Sequence, residues 1–219
     1  MKKRIIMSMI AGFVLLLMAC KKDKVADNTG PLGGETNIPL TQIGNVSYVY
    51  ISGSTDPAVM TVGINDNGTV NYEIAFSLAG RSDSASLVAL IPPKFLDAQN
   101  RVVLNLHLRI TSEGYQDADK PFIIIKYDSN VGDTYSYTLP SGQKLVRTVT
   151  QKSTTDDYFW GFMMIKTITS EQTTFAPDLA NLVTKYTFRA NHRFGMVYFE
   201  AVLKNGSILK MDIVPQFSL

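Results

Sequence analysis

Val102-Val103-Leu104-Asn105-Leu106-His107-Leu108-Arg109-Ile110-Thr111 alternates apolar and polar side chains. Val102, Leu104, Leu106, Leu108 and Ile110 fall on one face, and Asn105, His107, Arg109 and Thr111 on the other. A period of two belongs to an extended strand with one face on a core and the other in water; a helix would repeat its apolar residues at three and four. The stretch predicts a β-strand, and its neighbours on either side read the same way.

Towards the N-terminus, residues 46–51 and 58–64 are rich in β-branched and aromatic side chains and are separated by Gly53 and Pro57. Asn65-Asp66-Asn67-Gly68 supplies residues that tolerate positive φ, which predicts a tight hairpin into a strand over 69–78. Residues 87–91 read as a short strand stopped by Pro92-Pro93, and 94–99 as a helical turn. Towards the C-terminus, 112–120 (SEGYQDADK) is a polar loop and the candidate for an internal domain boundary. Strands are predicted over 122–127, 134–139 and 145–150, with turns at 128–133 and at Pro140-Ser141-Gly142.

Residues 158–168 are apolar on both faces, which predicts a strand central in its sheet. Pro177 opens a short helix, and Tyr186 and Phe188 alternate with Lys185, Thr187 and Arg189 in a further strand. Residues 196–204 and 207–214 are joined by Asn205-Gly206, a strong two-residue hairpin signal, and Pro215 is expected to end that pairing. Short turns between strands require antiparallel pairing. The predicted fold is all-β, an antiparallel sandwich or barrel-like sheet of about ten to twelve strands.

At the other extreme of the chain, Lys2, Lys3 and Arg4 precede a mostly apolar run of about 14 residues, the length of a signal-peptide core and too short to span a membrane. The run ends in Leu17-Met18-Ala19-Cys20, which resembles the lipobox of bacterial lipoprotein precursors. The resemblance implies removal of residues 1–19, diacylglycerol on the Cys20 thiol, and attachment to a cell-envelope membrane, expected to be the outer membrane. Two or more acyl chains give stable anchoring where one gives only marginal binding. Residues 20–40, with Gly30, Pro31, Gly33, Gly34 and Pro39 and no aromatic side chain, read as a flexible tether before a domain at 41–219. Val131-Gly132-Asp133-Thr134-Tyr135 and Asn191-His192-Arg193-Phe194-Gly195-Met196-Val197 resemble the C-terminal halves of uncharacterised Gram-negative cell-envelope lipoproteins, over about residues 120–215. That resemblance implies an antiparallel sheet and carries no chemistry.

Cys20 is the only cysteine, so with its thiol acylated there is no disulfide and no thiolate nucleophile. Without Lys2, Lys3 and Arg4 the chain carries 18 basic against 19 acidic residues, which removes the electrostatic footprint of a nucleic-acid binder. Hydrolysis by Ser, His and Asp needs a positioned imidazole, and only His107 and His192 exist, neither within a motif. Ser141-Gly142-Gln143-Lys144 fits S-x-x-K but lies in a Pro/Gly turn rather than on a helix. Asp117, Asp119 and Glu113, or Asp128, Asn130 and Asp133, offer oxygens for calcium but complete no calcium loop; no metal and no cofactor is expected.

Two binding readings have physical content. Tyr158, Trp160 and Phe162 share one face of a strand at period two, and a row of exposed rings can stack on sugars. Alternatively, Met163 and Met164 with Ile123, Ile124 and Ile125 would line an apolar cavity for a lipid. The chain is therefore expected to be a lipid-anchored, non-catalytic binding or assembly module for a glycan or an envelope protein. A polysaccharide-acting enzyme and a lipid carrier are the alternatives.

Overall fold

The computed structural model describes residues 34–216; the expected signal segment, Cys20 and the expected tether up to residue 33 lie outside them. The strands are β1 Val46–Ile51, β2 Ala58–Asp66, β3 Thr69–Phe76, β4 Val102–Thr111, β5 Gly114–Asp117, β6 Ile123–Lys126, β7 Thr134–Thr138, β8 Lys144–Lys152, β9 Tyr158–Trp160, β10 Met163–Ile165, β11 Ile168–Gln172, β12 Val183–Asn191, β13 Gly195–Leu203 and β14 Ile208–Pro215. Twelve of them form one antiparallel sheet in the order β6-β5-β4-β3-β2-β1-β14-β13-β12-β11-β8-β7, and β9 and β10 pair only with each other. The expectation of an all-β, barrel-like antiparallel sheet is met.

The first and last strands lie side by side in the middle of this order, with Val49 opposite Ile213. From that centre one arm runs outward through β2 to β6 and the other through β13 to β7, so the sheet curls until its two ends meet in a nearly closed barrel. Side chains bridge the remaining seam. Ser170 Oγ on β11 donates to the Ile124 carbonyl on β6 at 2.6 Å, and the Lys126 N–H donates to Tyr135 Oη on β7 at 3.1 Å.

The interior is filled by alternate residues of every arm, among them Val49, Ile51, Val70, Tyr72, Ile74, Phe76, Val149, Leu209, Met211 and Ile213. Folding begins earlier than the tether composition indicates. Gly34 N–H donates to the Ser112 carbonyl and Glu35 N–H to that of His192, and Ile38 and Leu40 are buried against Gly195 at one rim. Gly114–Asp117, within the polar stretch 112–120, is a strand of the continuous sheet.

β4 keeps its predicted period only in part. Val102 and Ile110 are buried, but Leu106 is 37% exposed; β5 pairs only with residues 108–111, and further back on that side β4 carries an isolated bridge from Leu96 to Val102. The strand expected at 87–91 is a helix, Ser84–Leu90. Leu87, Val88 and Ile91 meet the core at helical spacing, and Ser, Ala and Leu carry no β-branched bias against it.

The two Asn-Gly turns differ. Asn67 (φ 49°) and Gly68 (φ 86°) form a two-residue loop with Asp66 paired to Thr69, as a I′ turn requires. Lys204-Asn205-Gly206 is instead a three-residue loop in which only Gly206 takes positive φ, with Gly206 N–H donating to Leu203 O and Leu203 N–H to Ser207 O. Pro215 does not end the pairing: it sits opposite Ser47, and the next residue, Gln216, donates to Val46 O.

Candidate functional site

The predicted central strand at 158–168 is corrected to a hairpin on the outside of the sheet. Gly161 adopts φ 60°, the chain reverses, and Trp160 pairs with Met163. The reversal removes Phe162 from the row expected with Tyr158 and Trp160, which stay packed together. Trp160 is only 3% exposed, donates from Nε1 to the Ile213 carbonyl at 2.9 Å, and lies 4.8 Å from the Phe194 ring. Tyr158 is half-buried and Phe162, at the turn, is exposed. Trp160, Ile165 and Val197 form a small second core between hairpin and sheet, with Met163 and Val214 at its edge.

Beside this second core the strand register assembles a row that sequence inspection missed. Tyr50 on β1 lies opposite Asp212 on β14, Asp212 opposite Tyr198 on β13, and Tyr198 opposite Arg189 on β12. Tyr158 reaches onto the row from the hairpin, its hydroxyl donating to Asp212 Oδ1 at 3.3 Å. The Arg189 guanidinium lies over the Tyr158 ring at 4.3 Å and the Tyr198 ring at 5.3 Å, and its Nε donates to Thr169 Oγ1 at 3.1 Å. Tyr198 Oη donates to Glu200 Oε2 at 2.7 Å.

Partial burial tunes these groups. It pushes the Asp212 carboxyl above the usual carboxylate range, against the opposing pull of Tyr158 and Arg189. It also raises the Tyr158 hydroxyl, with Asp212 adding to the effect, and raises Tyr198, with Glu200 adding. Two carboxyl groups, two phenols and a guanidinium thus face outward on one wall, next to the half-exposed rings of Tyr48 and Tyr50, 6.4 Å apart. Perturbed groups gathered around one charge partner mark functional sites more often than chance.

The other candidates disperse. His107 Nδ1 meets Asp119 Oδ1 at 2.9 Å on an exposed face. His192 lines a cavity of about 20 Å³ with Tyr127, Lys152, Ser153, Lys166 and Thr167, and burial, then Arg193 and Lys166, lowers its pKa. Ser153 Oγ donates to Asp157 Oδ1 at 2.5 Å, so the hydroxyl is directed at a carboxylate and not at an imidazole that would activate it. Gly142, within S-x-x-K, closes a turn by donating to Leu139 O.

The calcium candidates spend their oxygens on turns: Asp117 Oδ1 accepts from the N–H groups of Asp119 and Lys120, and Asp133 Oδ2 from that of Asn130. Among the described residues no three His, Cys, Asp or Glu converge as a metal site. Ile124 and Ile125 belong to the main core whereas Met163 borders the second one, so the methionines and isoleucines do not line a common cavity. Compared with known proteins, the chain matches no family pattern, no characterised protein and no solved structure.

Proposed function

We propose that this chain is a lipid-anchored cell-envelope module that binds a glycan on the outer wall formed by β1, β14, β13 and β12. The observation that carries the reading is the in-register row Tyr50–Asp212–Tyr198–Arg189 with Tyr158 laid across it. Sugar recognition asks for ring faces beside a few fixed hydrogen-bond donors and acceptors. Tyr50 and Tyr48 supply the faces, Asp212 and Glu200 the acceptors, and Arg189, held by two rings and Thr169, a positioned donor. Cys20, outside the described residues, is the proposed attachment to the envelope. The test is titration of the protein with cell-wall and dietary oligosaccharides: a saturating heat signal with one class, lost in Tyr50→Ala and in Arg189→Ala, supports it, and no signal with any class sinks it.

A second reading has its own observation. Asp212 and Glu200 are diagonal neighbours on one face of a strand pair, a relation that sets side chains roughly 7–8 Å apart, and burial raises the Asp212 carboxyl. That spacing suits an inverting glycosidase, in which Asp212 would serve as acid and Glu200 as base. Release of reducing sugar from a bound polysaccharide, abolished in Glu200→Gln, would move the assignment from binding module to hydrolase.

A further inference from the structure

Antiparallel pairing brings one set of connections to a single rim of the barrel: those after β2, β4, β6, β8 and β12. The described chain starts at that same rim, where Gly34 and Glu35 bond to Ser112 and His192. Exposed apolar side chains gather there. Ile43 lies in the loop before β1 and Val131 in the loop after β6, and the hairpin β9–β10 presents Phe159 (66% exposed), Phe162 (72%) and Met164 (48%). From Tyr158 to Ile165 there is no charged side chain. The hairpin is also held firmly from behind, by the Trp160 hydrogen bond to Ile213, the Phe194 ring and Val197, so its exposed residues cannot fold back onto the sheet.

Hydrophobic side chains held in water at a rigid tip cost free energy that an apolar partner recovers. The covalent geometry names the partner. Thirteen residues, 21–33, separate Cys20 from the described chain, and even fully extended they reach no more than about 50 Å. A lipid on Cys20 therefore keeps this rim within reach of the bilayer surface. We propose that the β9–β10 hairpin seats Phe159, Phe162 and Met164 in the interfacial layer of the membrane that carries the Cys20 lipid, giving the domain a second contact and a fixed orientation. The inference rests on the lipid-anchor reading. Lys152, Lys166 and Arg193 near the hairpin are offset by Glu35, Asp156 and Asp157, so the contact is apolar and does not depend on anionic headgroups.

Trp160, the only tryptophan, sits directly behind the inserted residues and reports on them. The full lipidated chain is reconstituted into phosphatidylcholine vesicles, plain or brominated on the acyl chains close to the headgroup. The expected result is flotation with the vesicles and quenching of Trp160 emission by the brominated lipid. In Phe159→Ser/Phe162→Ser, flotation should persist while bilayer occupancy of the hairpin, read as quenching, falls by about tenfold or more. A chain that floats with Trp160 unquenched, or a double variant quenched like the parent, overturns the hairpin contact and leaves the anchor standing. Quenching in a chain whose Cys20 is unmodified by mass spectrometry supports the hairpin and removes the anchor; neither flotation nor quenching overturns both.

Discussion

Arg147 on β8 donates from Nη1 to the carbonyl oxygen of Ile123 on β6 at 2.9 Å, joining two strands between which no ladder runs. The same nitrogen reaches Phe122 O at 3.2 Å, Nε donates to Gln172 Oε1 at 2.8 Å, and the guanidinium lies 3.8 Å from the Phe122 ring centre and 5.0 Å from that of Phe188. Burial works against the charge and pulls its pKa down to about 10, which still leaves it protonated at neutral pH. Replacing it by Met keeps bulk but strands three buried acceptors. Arg147→Met should cost about 2–4 kcal/mol in urea denaturation, against about 1 kcal/mol for Ser170→Ala, which removes one neutral bond across the same seam. Equal costs would mean that the seam does not depend on the guanidinium.

Two glycines at positive φ separate backbone strain from collision. A side chain at Gly206 meets nothing nearby, so Gly206→Ala should lose only the left-handed penalty, about 1–2 kcal/mol. A Cβ at Gly114 would run into the Ile125 carbonyl oxygen, and Gly114→Ala should lower the melting temperature considerably more. Thermal unfolding of the pair by circular dichroism checks the order.

Asp212 carries a raised pKa in the fold, so its ionised form is disfavoured there relative to the unfolded chain. Its contribution is therefore favourable below the ordinary carboxylate pKa and is lost as pH rises through the folded value. Asp212→Asn keeps an acceptor for the Tyr158 hydroxyl and removes the charge. The variant should melt higher than the parent at pH 7, with the gap closing towards pH 3; a lower melting temperature at pH 7 would show that Arg189 needs the carboxylate.

His192 shifts the opposite way. Its lowered pKa means that protonation is disfavoured in the fold, so stability is intact above the ordinary imidazole pKa and is lost as pH falls through the folded value. His192→Gln should flatten the part of the melting-temperature profile between about pH 6.5 and pH 5, and superimposable profiles would show that the imidazole titrates as if in water.

Cys20→Ser should leave an unlipidated precursor of altered electrophoretic mobility, with a changed amount in the membrane fraction. A membrane fraction unchanged in amount and mobility would contradict the lipobox resemblance.

Much of the sheet is legible from local pattern, because period two and turn residues act over a few positions. β1 coincides with its predicted range, and Asn67-Gly68 makes the turn its residues favour. What was hidden is set by partners far along the chain. Residues 158–168 are apolar on both faces, and a central strand satisfies that pattern as well as a hairpin that buries Trp160 and exposes Phe159; only Gly161 distinguishes the two. The row Tyr50–Asp212–Tyr198–Arg189 spans 162 positions from Tyr50 to Asp212 and depends on register, which no window of sequence contains. The signal that was present is parity: Asp212 alternates with the buried Met211 and Ile213, and Tyr198 and Glu200 flank Phe199, which packs against the core.

The pairing of β1 with β14 has a consequence in time. A chain delivered N-terminus first can assemble the β1–β6 arm, but β1 then presents an open edge until β14, residues 208–215, arrives to cover it. A strand made long after β1 thus completes the middle of the sheet. A chain lacking β14 would leave a gap at the centre of the wall rather than a frayed end, so the fold closes only when β1 and β14, far apart in sequence, have both been made.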